Sequence, residues 1–85
     1  SPDHIKASIL LAEQLIELGR VDEAIEKLKA AESFDPRVPE LHYQLARAYR
    51  AQGDWEKALH ELERTLQLDP NHKQASLMMR QLRKE

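Results

Sequence analysis

The sequence predicts an all-α fold, an α-α superhelix of tandem helix-turn-helix hairpins with a C-terminal capping helix. Three observations carry that expectation. The chain matches itself at a spacing of 34 residues, each unit holds one glycine where a turn is due, and each unit ends on Asp-Pro. Residues 5–38 laid over 39–72 give seven identities, where unrelated sequence of ordinary composition gives about two. They are Leu11/Leu45, Ala12/Ala46, Gly19/Gly53, Ala24/Ala58, Leu28/Leu62, Asp35/Asp69 and Pro36/Pro70. Four further pairs change mainly in size: Leu15/Tyr49, Val21/Trp55, Ile25/Leu59 and Phe34/Leu68. The chain reads as one domain over 1–85, with repeat 1 at about 5–38, repeat 2 at about 39–72 and a capping helix at about 73–84.

The first helix is apolar over more than one stripe, through Ile5, Ile9, Leu10, Leu11, Ala12, Leu15, Ile16 and Leu18. A helix apolar nearly all round is usually buried on several sides. Only its hairpin partner and the next repeat are available to cover it, so some apolar surface should stay open. In the second unit, Leu41, Leu45, Ala46, Ala48 and Tyr49 recur at helical spacing before Gly53, and Trp55, Ala58, Leu59, Leu62 and Leu66 after it. Gly53 can take the left-handed conformation that ends a helix, and Asp54 can cap the amides of the next. Proline cannot continue a helix, so Phe34-Asp35-Pro36 and Leu68-Asp69-Pro70 close the units. Small Ala24 and Ala58 let paired helices approach closely.

After Pro70 a third unit begins. Asn71 is a candidate cap, and Ala75, Met79 and Leu82 are spaced to face the preceding repeat, with Met78 partly exposed. Polar Ser76, Arg80 and Arg83 occupy the face that would meet a partner helix, so no second helix is expected and the segment reads as a solvating end cap.

Leu45-Ala46, Tyr49, Gly53-Asp54-Trp55, Ala58, Leu62 and Leu68-Asp69-Pro70 together resemble the signature of the tetratricopeptide repeats (TPR). The family's first aromatic is replaced by Ser8 and His42, and its late small residue is Ala31 in one unit and Thr65 in the other. The resemblance implies a scaffold for protein–protein interaction, with Tyr49 and Trp55 in the interior. It also implies that the first helix of each repeat lines an inner groove, at Lys6, Ile9, Glu13 and Ile16, then Tyr43, Arg47 and Arg50, then Gln74, Leu77 and Gln81. Ile9, Tyr43 and Leu77 lie 34 apart and should form an apolar strip bordered by Glu13 and Arg47. The expected partner-binding residues are therefore Lys6, Ile9, Glu13, Ile16, Tyr43, Arg47, Arg50 and Leu77, and the expected ligand is an apolar peptide or helix of a partner protein with polar flanks. The family's clamp for C-terminal carboxylates needs Lys, Asn, Asn, Lys and Arg. Ile9, Glu13, Gln44, Gln74 and Met78 stand at the matching positions, and Glu13 would repel a carboxylate. The alternative is a structural assembly segment whose apolar N-terminal helix packs on a missing domain or on a second copy, giving a homo-oligomer.

Composition points away from other functions. Thirteen Lys plus Arg against fifteen Asp plus Glu leave a net charge of −2, with no excess to attract nucleic acid. There is no cysteine, and no apolar run nears the roughly 20 residues of a membrane span. No basic segment with a following apolar core marks a signal peptide, and the start Ser1-Pro2 without Met reads as a processed or excised end. His4, His42, His60 and His72 include no i,i+4 pair, so no metal site is expected; His42 should pack between helices and the other three should lie on the surface. Glu13, Glu17, Glu23, Glu26, Glu56, Glu61 and Glu63 sit among Lys and Arg and read as solvated surface charge. No phosphate loop or activated nucleophile is present. No enzyme activity and no cofactor are expected, and compartment is left open.

Overall fold

The glycine turns and Asp-Pro breaks divide the chain into five helices: α1 (Pro2–Glu17), α2 (Val21–Phe34), α3 (Pro39–Ala51), α4 (Trp55–Leu68) and α5 (Lys73–Lys84). The computed structural model describes residues 2–84, with side chains from His4 onward; the chain's first and last residues lie outside that description. Among the described residues there is no strand.

Both hairpin turns are built the same way. Gly19 and Gly53 have φ +81, and a Cβ at either would meet nothing within 4 Å. Backbone conformation, not lack of room, therefore requires glycine. Around them the Arg20 and Asp54 amides reach back to the Leu15 and Tyr49 carbonyls at 2.8 and 2.9 Å, closing a Schellman motif. The Asp54 side chain caps α4 by accepting from the Lys57 amide, whereas Arg20 at the same place in repeat 1 makes no cap. Helix α2 stops as Asp35 turns extended before Pro36, and α3 starts with Pro39 in its first turn, where a missing amide costs nothing.

α1 pairs with α2 and α3 with α4; α3 also packs on α1 and α2, and α5 on α4. The result is a slab of 37 × 27 × 17 Å, two helices thick. Ala24, Leu28, Leu41, Leu45, Ala46, Ala58 and Leu62 are fully buried. Ala24 and Ala58 leave room for close helix contact, as their size implies.

Several expectations need correction. Trp55 is 43% exposed, not interior. As the first residue of α4 it has no preceding turn for its ring to lie over. Met78 is buried as deeply as Met79, since α5 docks through Ala75, Met78, Met79 and Leu82, a wider stripe than the one expected. His72, not Asn71, caps α5: its Nδ1 accepts from the Ala75 amide at 3.0 Å, while the Asn71 amide donates to Asp69 Oδ1. Glu61 is buried rather than solvated.

Candidate interaction site

Two polar clusters fix the local geometry. The first closes repeat 2. His42 is fully buried; its Nδ1 lies 2.8 Å from Glu61 Oε1 and its Nε2 2.6 Å from the Pro36 carbonyl. Both ring nitrogens face acceptors, so the charged imidazolium, which donates from both, suits this site. The hydrogen bond to Glu61 raises its pKa above the ordinary histidine range; burial opposes the shift and the Pro36 carbonyl adds to it. Glu32 of α2 approaches to 3.9 Å from His42 and 3.4 Å from Arg64. This clasp joins α2, α3, α4 and the 35–38 connection.

The second cluster lies along α1 and α3. The Gln44 amide donates to Glu13 at 3.2 Å and to Glu40 at 2.9 Å, and Arg47 donates to Gln44 Oε1 at 2.8 Å. Glu40 Oε1 lies 3.1 Å from His72 Nε2. Because His72 Nδ1 accepts a backbone amide, its proton sits on Nε2, giving the neutral tautomer. Tyr43 packs on the same ring, with centroids 4.8 Å apart. His72 is thus half-buried and structural, not a surface histidine.

Where α1 meets the α2–α3 connection, a cavity of about 700 Å³ opens. Its apolar walls are Ile5, Ile9, Leu10, Phe34 and Val38; Lys6, Glu13, Asp35 and Glu40 also line it. The Asp35 carboxylate accepts from the Arg37 amide, and the Pro36 carbonyl is held by His42, so the connection forming one wall is fixed from both sides.

Of the eight residues expected to meet a partner, Lys6, Ile9 and Glu13 line this cavity. Ile9 is only 7% exposed and belongs to the core, so it offers a floor rather than a protruding contact. Ile16, Tyr43, Arg47 and Arg50 are half-buried along α1 and α3, and Leu77 is exposed on α5. Tyr43 lies against His72, while Arg47 braces Gln44. Leu10 and Phe34, 57% and 78% exposed, also line the cavity and were not among the expected residues. The signal was in the sequence: an apolar first helix too broad to be covered, and a Phe where the second repeat has Leu.

Stacked helix hairpins presenting an open apolar cavity define a helical-repeat module. Residues 15–82 match the tetratricopeptide repeat model, and the chain belongs to that family, whose repeats generally mediate protein–protein interaction and are generally non-catalytic. Over 75 residues it is 37% identical to DnaJ homolog subfamily C member 3 of Gallus gallus, a match covering 88% of this chain and 15% of that protein's length. Among the described residues no helix is long and apolar enough to cross a membrane, and no three His, Cys, Asp or Glu side chains are grouped to hold a metal ion.

Proposed function

We propose that this chain is a recognition module, without catalytic chemistry, that binds a peptide or helix of a partner protein along α1, α3 and α5, through Lys6, Ile9, Glu13, Ile16, Tyr43, Arg47, Arg50 and Leu77. The observation that carries the reading is the open cavity beside α1, which has an apolar floor and which Lys6, Ile9 and Glu13 line. Apolar pockets of this size with a few polar groups at the edge are the common form of a ligand site. Selection of random peptides on the immobilised chain tests it. Recovered peptides should lose affinity for Tyr43→Ala and for Leu10→Lys, both still folded by circular dichroism. Retained affinity in those variants, together with its loss on changing exposed His60 or Glu63 of α4, would place the site elsewhere.

A second reading is favoured by a separate observation. Leu10, Leu11, Leu18 and Phe34 are all substantially exposed, and Leu11 is the counterpart of fully buried Leu45. In this reading α1 packs on another hairpin or a second copy. Light scattering over a concentration series distinguishes the readings, with Leu11→Lys as the variant; Ile9→Lys would report on folding, because Ile9 is core. A monomer at all concentrations excludes the second copy.

A further inference from the structure

We propose that the cavity beside α1 takes an apolar side chain flanked by lysine or arginine, presented by a peptide or helix of a partner protein; this deepens the interaction reading and rests on it. The floor is apolar, through Ile5, Ile9, Leu10, Phe34 and Val38. Its charged edge is lopsided, with Glu13, Asp35 and Glu40 against Lys6 alone.

Those three carboxylates are bonded, but not to cations. Glu13 accepts from the Gln44 amide, Glu40 from the same amide and from neutral His72, and Asp35 from the Arg37 backbone amide. Among the described residues, no lysine or arginine nitrogen lies within 4.0 Å of any of the three. Hydrogen bonds from neutral groups hold the carboxylates in place and leave their charge standing beside an apolar surface. A cation brought there by a ligand meets a fixed negative field next to a low-dielectric wall, and an acidic ligand is repelled. The chain's net charge of −2 acts in the same direction at longer range.

Repeat 2 shows why one such pocket forms. At the positions of Ile9 and Val38 it carries Tyr43 and His72, which lie against each other. Glu40, the counterpart of Lys6, bonds to the same His72 ring. The equivalent space is occupied by the chain's own side chains.

The test uses the 85-residue chain and three synthetic peptides of about twelve residues, long enough to span one such pocket. The first has central Phe and Leu with lysines on both sides, the second replaces the lysines with Glu, and the third replaces Phe and Leu with Ala. By titration calorimetry at about 0.05 M salt, the lysine-flanked peptide should bind at least about tenfold tighter than the Glu-flanked one. The ratio should collapse near 0.5 M salt, where exposed charges are screened, and the Ala peptide should not bind. Phe34→Ser, at an exposed site, should weaken the lysine-flanked peptide. Glu13→Gln with Asp35→Asn and Glu40→Gln, checked for native helicity and melting temperature, should erase the preference. Equal binding of both flanked peptides would overturn the charge inference while leaving the interaction reading intact. Binding of none would overturn both for this cavity. The competing occupant is basic α5 of a second copy, with exposed Leu77 and nearby Arg80 and Arg83. Concentration-dependent association abolished by Arg80→Glu would assign the pocket to self-assembly and overturn the proposal.

Discussion

The two hairpins carry the same turn, the same alanine contact and the same Asp-Pro break, yet they close their interiors by opposite means. Repeat 2 is filled with polar chemistry. His42 and Glu61 form a buried ion pair, Thr65 bonds the Glu61 carbonyl, Gln44 is buried in a three-way network, and Tyr43 lies against His72. At the positions of His42 and Glu61, repeat 1 has Ser8 and Lys27. It relies on apolar contact and leaves Leu10, Leu11, Leu18 and Phe34 showing. The identical residues set the path of the backbone. The differing ones decide whether a repeat is sealed or open.

The sharpest way to break that comparison is to remove the clasp. His42→Ala strands buried Glu61 without its cation and should cost about 3–5 kcal/mol, a large share of what so short a domain holds. His42→Leu combined with Glu61→Leu should be close to neutral, since apolar replacement removes both charges together. Urea denaturation of both variants measures this. A cost below about 1 kcal/mol for the single change would mean that the pair contributes little to sealing repeat 2.

Overpacking comes next. Ala58→Leu and Ala24→Leu each force bulk into a fully buried contact and should cost about 1–3 kcal/mol. The loss should be larger at 58, where the clasp holds α3 and α4 together, than at 24, where the open hairpin can spread. Equal losses by thermal denaturation would show that repeat 1 is as rigid as repeat 2.

The clasp also makes stability depend on pH. The folded pKa of His42 is raised above its unfolded value of about 6.5. Its contribution is therefore complete below about pH 6.5 and is lost as pH rises through the raised folded value. The groups facing the ring are Glu61 and Arg64 of α4, Glu32 of α2 and the Pro36 carbonyl. The melting temperature should fall between neutral and mildly alkaline pH, and the fall should vanish in the His42→Leu, Glu61→Leu double variant. A slope unchanged by that substitution would mean that another group titrates.

What the sequence made legible follows from what periodicity can encode. Glycine at a left-handed turn, alanine at a close crossing and proline at a break are demands of backbone geometry, so the five helices could be placed in advance. Glu61 could not, because a carboxylate at helical spacing among Lys and Arg looks solvated until the histidine 19 residues earlier is brought beside it. Leu10 and Phe34 were visible as apolar residues. Their meeting at one cavity depends on how the α2–α3 connection returns past α1, which no single helix records.

The smallest effect concerns the caps and sharpens the comparison most directly. Arg20 (φ −91, ψ 62) and Asp54 (φ −92, ψ 80) have nearly the same backbone, but only Asp54 reaches forward to an amide, that of Lys57. Arg20 instead forks onto Glu23 at 2.7 and 2.8 Å, and that bond holds the Glu23 carboxyl below its ordinary range. The pair is exposed and is a weak stabiliser. Asp54→Ala should therefore cost about 1 kcal/mol. Arg20→Asp, which exchanges an exposed ion pair for a cap at the Glu23 amide, should raise stability by less than the Asp54 cap contributes, because like charge at Asp22 and Glu23 offsets part of the gain. Helicity and urea midpoints of the two variants measure the exchange. A loss on Arg20→Asp would mean that the guanidinium fork, and not a missing cap, is what repeat 1 uses to start its second helix.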